Sequence, residues 1–304
     1  MTTFASPVDT ELHGEYTINQ SPDDPRPLYR FTGRITDDGS TRYAPEPGRY
    51  HIYAGLFCPW AQRVVLTADL AGLRQAVSVS YVDGARDGRG WAFREATGPD
   101  PVNGFELLRD AYDATEPGFD GHVSVPTLWD RATGRVVSND YGTLDIDLAS
   151  RFAAVAVDGA QLYPAELAAG IDELEAWLLS GVNQGAHVAL GDGPGARDAA
   201  AVLQQVFAEL DERLGRDTYL LGSRLTLADV RLWVTLVRYD AGAARQGAPR
   251  LADHPNLWSY ARELYRLPAF ARTTRFSAFG GTDEVVAQWR QPGSRSVGAQ
   301  KEAS

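Results

Sequence analysis

Cys58 is the single cysteine in the 304-residue chain. It stands in GLFCPWAQRVVL, Gly55 to Leu66, where an apolar run gives way to helical spacing. A thiol at a strand-to-helix junction meets the unpaired N–H groups and the positive dipole end of the helix. Both favour the thiolate and lower the thiol pKa from ~8.5 toward 7 or below. Pro59 suits the first helical turn, where a missing amide donor costs nothing. A buried thiol acting as a small hydrophobe is the competing account, but an inert thiol has no need of a helix start. With no second cysteine, a Cys-x-x-Cys dithiol cycle is closed to this chain. A mixed disulfide on Cys58 therefore needs an external thiol to resolve it, which makes a low-molecular-weight thiol a co-substrate by elimination.

Pro126, in HVSVPTLWD, is the second signal. Proline inside a strand removes a ladder donor. A cis Val125–Pro126 peptide would leave the Val125 backbone open to pair with the backbone of a cysteine-containing ligand; a sheet-edge proline is the plainer alternative.

The elements around these residues follow from periodicity. RYHIYAGL reads as a buried strand and PWAQRVVLTADLAGL as a helix ending near Gly72. AVSVSYV, HVSVPTLWD and GRVVSND read as further strands. Residues 1–46 are turn-rich and predict an irregular extension, 47–150 a small α/β domain that binds the thiol, 151–280 an all-helical domain, and 281–304 a disordered tail. Thr226 and Asp229, in RLTLADVRL, suit a helix capping box. Most tryptophans read as core or interface aromatics.

Composition narrows the partners. A formal net charge of -11 disfavours nucleic acid and anionic membrane surfaces, both of which select clustered cations. No stretch approaches the roughly 20 apolar residues of a membrane span. MTTFASPVDTELHGEY lacks the basic and apolar segments of a signal peptide. A cytosolic setting is the simplest expectation for one cysteine and no leader. No metal is expected. Lys301 is the sole lysine, and arginine-rich, lysine-poor usage suggests a GC-rich, actinobacterial type of source.

CPWAQR, GWAFRE, HVSVPTLWD, LYPAELAAGIDELEAWL, YLLGSRLTLADVRLWVTLVRYD and HPNLWSYARELYRLP, in order from Phe31 to Phe276, together resemble the glutathionyl-hydroquinone reductases, the Xi-class glutathione transferases. The resemblance implies a thioredoxin-like α/β N-terminal domain, an all-α C-terminal domain (the glutathione transferase fold) and a homodimer. It also implies a reaction. The Cys58 thiolate attacks the sulfur of a glutathionyl-hydroquinone, the ring carbon leaves and is protonated, and a second thiol reduces the protein mixed disulfide.

On the same resemblance, Trp91, His122, Val123, Ser124, Val125, Pro126, Asp140 and Tyr141 line the thiol site, and Phe57, Tyr239 and Ala243 the aromatic substrate pocket. Several of these depart from the family pattern. The arginine of Arg-Val-Thr-Val is His122 here, and the glutamate–serine pair that grips the γ-glutamyl end is Asp140-Tyr141. The proton-donating tyrosine aligns with His187, which can donate a proton near its ordinary pKa of ~6.5. A second substrate-site tyrosine falls on Ala243. These losses, with the composition, make mycothiol an alternative to glutathione: it carries no γ-glutamyl group, and Tyr141 could stack on its sugar–inositol tail. The sequence-based expectation is that mycothiol resolves Cys58 faster than glutathione. Two other functions stay open. One is a conjugating transferase that adds the thiol to a quinone or biosynthetic electrophile; the other is a non-enzymatic protein on the transferase fold.

Overall fold

Strand β1, Tyr50–Gly55, is buried along its whole length and organises the first part of the chain. It pairs in parallel with β2, Val77–Val82, from Tyr50 opposite Val77 to Gly55 opposite Val82. On its other edge it runs antiparallel to β3, Thr127–Asp130, which pairs with β4, Arg135–Ser138, giving the order β2-β1-β3-β4. Parallel neighbours need a crossover, and the helix Pro59–Leu70 supplies it. The computed structural model describes residues 3–18, 20 and 23–292. The described residues divide into two compact units between Ala160 and Gln161.

The first unit also holds α1, Thr10–His13, in the otherwise irregular N-terminal extension; the crossover helix is α2. Helices α3, Leu108–Thr115, and α4, Tyr141–Ser150, complete it. Its core joins Tyr50, Ile52, Val64, Leu108, Tyr112, Trp129, Leu144 and Phe152. A buried ion pair ties two helices together: the Arg63 Nε of α2 donates to the Asp145 carboxylate of α4 at 2.8 Å, and both side chains are fully buried. Gly72 ends the α2 turn at φ 75°, where a Cβ would lie 2.3 Å from the Val157 carbonyl oxygen. Only glycine fits there.

The second unit is helical: α5 Ala168–Leu178, α6 Gly185–Ala189, α7 Ala196–Arg216, α8 Leu227–Gln246, α9 Pro255–Arg266, α10 Pro268–Thr273 and α11 Asp283–Arg290. A wide π-helical turn, Leu179–Gln184, leads from α5 into α6. The capping box at the start of α8 forms: the Asp229 carboxylate accepts from the Thr226 N–H at 2.9 Å, and also from the Leu220 N–H at 2.9 Å and the Tyr260 hydroxyl at 2.8 Å. Its role is structural.

Three expectations need correcting. Asp140 does not continue a strand; β4 stops at Ser138, and Asp140 caps α4 by accepting from the Gly142 N–H at 3.0 Å. The first unit runs past residue 150, because the Val157 N–H bonds to the Gly72 carbonyl at 3.1 Å and the Ala160 N–H to the Leu70 carbonyl at 2.8 Å. The stretch from 281 is not an irregular tail throughout. Thr282 caps α11, and Trp289 is fully buried, donating its indole N–H to Asp240 at 2.9 Å. Residues 293–304 lie outside the described residues.

Candidate active site

Cys58 is the N-cap of α2, with extended backbone (φ -87°, ψ 120°). Its sulfur accepts from the Ala61 N–H at 3.4 Å, taking the place a serine or aspartate oxygen occupies in an ordinary cap. Pro59 sits at the first helical position, as the sequence predicts. The thiol is buried, and it approaches the Val125 carbonyl oxygen at 3.5 Å. The two contacts oppose each other: the amide favours a thiolate, and the carbonyl favours a thiol able to donate.

The Val125–Pro126 peptide is cis. Among the described residues no hydrogen bond occupies the Val125 N–H, and the ladder of β3 begins only at Thr127. The neighbours are held firmly. The Ser124 carbonyl accepts from the hydroxyls of Tyr112 at 3.1 Å and Thr127 at 2.7 Å, and the Asn139 amide donates to the Ser124 hydroxyl at 3.2 Å. The Val123 N–H donates to the Tyr16 hydroxyl at 3.2 Å. One free backbone donor therefore stands beside the thiol on a locked segment.

Phe57 and Trp60, on either side of Cys58 in the chain, each join an aromatic cluster. Trp60 stacks on Tyr141, centroids 4.6 Å apart at 19°. Tyr29 meets Tyr141 edge-on at 5.6 Å, and the Arg63 guanidinium lies 5.3 Å from the Tyr141 centroid. Burial pushes the Tyr29 phenol up to about 12. Tyr141 is thus packed within the protein on one face. The Asp140 carboxylate is occupied by the Gly142 N–H and the Thr143 hydroxyl, at 3.0 and 2.9 Å.

Phe57 packs on Trp91 at 4.4 Å, and a Cβ at Gly55 would lie 2.7 Å from the Phe57 ring, which explains the glycine. The Arg86 guanidinium sits between rings, 4.3 Å from the Trp91 centroid and 4.2 Å from that of Tyr16. The Tyr16 hydroxyl, already accepting from Val123, is 3.0 Å from the His122 Nδ1. A phenol donating there places the His122 proton on Nε2 and keeps the ring neutral. Burial, and next the positive charge of Arg86, hold the His122 pKa below its ordinary value.

The helical unit carries the remaining candidates. His187 is exposed on α6. Tyr239, on α8, is buried; its hydroxyl donates to the Pro249 carbonyl at 2.9 Å and accepts from the Gln204 amide at 3.1 Å. Ala243 is fully buried in α8, so its side chain offers no surface to a ligand, which corrects its placement in a substrate pocket. Tyr16, Tyr29 and Arg86 were not anticipated. The turn-rich extension holding Tyr16 and Tyr29 has no periodicity to betray a contact with His122. Among the described residues no cluster of three metal-ligating side chains occurs, and no helix is long and apolar enough to cross a membrane.

Comparison with known proteins fits this geometry. Residues 160–263 match the family model for the glutathione S-transferase C-terminal domain. The chain is 35% identical over 247 residues to the glutathionyl-hydroquinone reductase YqjG of Escherichia coli, covering 78% of this chain and 75% of that protein. It is 36% identical over 228 residues to the glutathionyl-hydroquinone reductase PcpF of Sphingobium chlorophenolicum, covering 70% of each. The glutathione-bound structure of YqjG superposes with a TM-score of 0.76 at 33% identity, over 82% of this chain and 86% of that one.

Proposed function

Because the chain belongs to the glutathionyl-hydroquinone reductases, the Xi-class glutathione transferases, we propose that it is a thiol-dependent reductase that cleaves glutathionyl-hydroquinones, or related S-conjugated aromatics, through a mixed disulfide on Cys58. The observation that carries the reading is a lone thiol at a helix N-cap beside an unoccupied Val125 N–H. Cys58 thiolate attacks the glutathionyl sulfur, a sulfur–sulfur bond forms, and the sulfur–aryl bond breaks. The departing electron pair stays on the ring carbon, which takes a proton. A second glutathione thiolate then displaces the bound glutathione as its disulfide and returns Cys58 thiolate. The thioether sulfur and one thiol sulfur are oxidised to a disulfide while the aryl carbon is reduced from C–S to C–H, so the electrons balance.

Val125, next to the cis peptide, would pair with the cysteinyl backbone, and Trp91 would cover it. His122, Val123 and Ser124 shape the groove, and Asp140 and Tyr141 take its γ-glutamyl end. Phe57 and Tyr239 belong to the aromatic side of the reading. His187 is assigned the proton on the strength of its alignment alone. A homodimer is part of the same reading, and its molar mass in solution tests it.

Mycothiol remains a second reading of the thiol, resting on the resemblance, which puts Tyr141 at the family's serine; the Asp140 carboxylate beside it is committed to the helix cap. Resolution of the same Cys58 mixed disulfide by the two thiols at matched concentration separates them, and the glutathione reading requires glutathione to be the faster. The reductase itself is tested by product stoichiometry: one hydroquinone and one glutathione disulfide per conjugate consumed, both lost in Cys58→Ala. A net gain of thioether from quinone and thiol, undiminished in that variant, would make the protein a conjugating transferase instead.

A further inference from the structure

Arg86 is a cation in want of an anion. Its guanidinium is half-buried between the rings of Tyr16 and Trp91, and it makes no hydrogen bond or ion pair among the described residues. The carboxylates nearest in sequence are already engaged. Asp83 pairs with Arg94 at 3.3 Å, and Asp87 pairs with Arg89 at 2.7 Å while accepting from the Asp9 N–H at 3.1 Å. Arg49, Arg63, Arg89 and Arg250 each meet a buried carboxylate, whereas Arg86, like Arg262 on Trp258, has only aromatic rings. Burial lowers the Arg86 pKa, the mark of a charge short of compensation.

The contacts around Arg86 close on the thiol. From Cys58 they pass to Phe57, to Trp91, to Arg86, to Tyr16, through the Tyr16 hydroxyl to Val123, and along the backbone to Val125, whose carbonyl lies 3.5 Å from the sulfur. Arg86 therefore belongs to the contact network around the thiol site, separated from Tyr141 by the rings of Tyr16, His122 and Tyr29. His122 is the poorer cation here, since burial and then the Arg86 charge lower its pKa.

We infer that Arg86 is a specificity residue that holds a carboxylate at the end of the co-substrate thiol remote from Tyr141, which in glutathione is the glycyl carboxylate. The assignment rests on the proposed thiol site. With the cysteinyl part on Val125 and the γ-glutamyl end at Asp140-Tyr141, the glycyl end points to the Arg86 side. Guanidinium–carboxylate pairing is charge-assisted and directional, and the flanking rings hold the fork in place. A thiol ending in a sugar–inositol offers Arg86 no such partner.

The test is direct binding to the full-length protein. Glutathione and its glycyl carboxamide are titrated calorimetrically against the wild type, Arg86→Gln and Arg86→Lys. The wild type should bind glutathione about 10- to 100-fold more tightly than the carboxamide. Arg86→Gln should abolish that preference by weakening glutathione alone, and Arg86→Lys should keep part of it. Equal wild-type affinities, or a preference that survives in Arg86→Gln, would overturn the inference. If the glutamine variant lost its native circular dichroism, the wild-type ratio and the lysine variant would still decide. Binding needs no turnover. An Arg86-dependent preference without conjugate cleavage would sink the reductase and spare this site, whereas cleavage with equal affinities would do the reverse. No binding of glutathione at all would remove both.

Discussion

The Cys58 sulfur lies 3.4 Å from the Ala61 amide nitrogen, so the first turn of α2 is capped by the thiol itself. Helix capping and nucleophile activation are here one contact, because the amide that needs an acceptor is the group that favours a thiolate. Alkylation of Cys58 by iodoacetamide, followed against pH, is expected to show a midpoint below the ~8.5 of a free thiol. A midpoint at or above that value would mean that burial and the Val125 carbonyl outweigh the helix.

The Arg63–Asp145 pair holds α2 against α4, and so fixes the helix that carries Cys58 relative to the one that begins at Tyr141. Removing one partner leaves a buried charge uncompensated. Arg63→Met or Asp145→Asn is expected to lower unfolding free energy by about 3–5 kcal/mol, read from urea denaturation. Replacing both partners with apolar residues should recover much of the loss. A single variant with an unchanged midpoint would show that solvent reaches the pair.

His51 is fully buried in β1, its ring nitrogens 2.6 and 2.8 Å from the hydroxyls of Ser78 and Ser80, and burial lowers its pKa from 6.5 to about 4. The fold therefore favours neutral His51. As pH falls below 6.5 the unfolded chain takes up a proton that the folded chain refuses, and stability drops until about pH 4. The full effect is on the order of 3 kcal/mol. Denaturation midpoints measured from pH 7 to pH 4.5 should fall less in His51→Gln than in the wild type. Parallel curves would assign the acid loss to other groups.

Much of the framework was legible in the sequence because it rests on local rules. Pro59 after Cys58 marks a helix start, Thr226 with Asp229 marks another, and the long helices α7 and α8 show their apolar spacing. The parts that escaped depend on distant contacts. Tyr16 meets His122 across 106 residues of chain, and Arg86 meets Tyr16 through a loop with no periodicity. Asp140 read as the end of a strand, since VVSND carries the β-branched pattern and nothing in it announces a cap. Trp289 made its helix invisible in the other direction: one buried indole anchors a segment whose composition reads as a tail.

The central claim is that Cys58 becomes covalently linked to the thiol it removes. Wild-type protein mixed with a stoichiometric glutathionyl-hydroquinone, without free thiol, is quenched in acid and its intact mass determined. The account predicts one glutathione added per chain, mapped to Cys58, with hydroquinone released in equal amount and the adduct lost when glutathione is then added. Hydroquinone released from an enzyme that stays unmodified at Cys58 would contradict it.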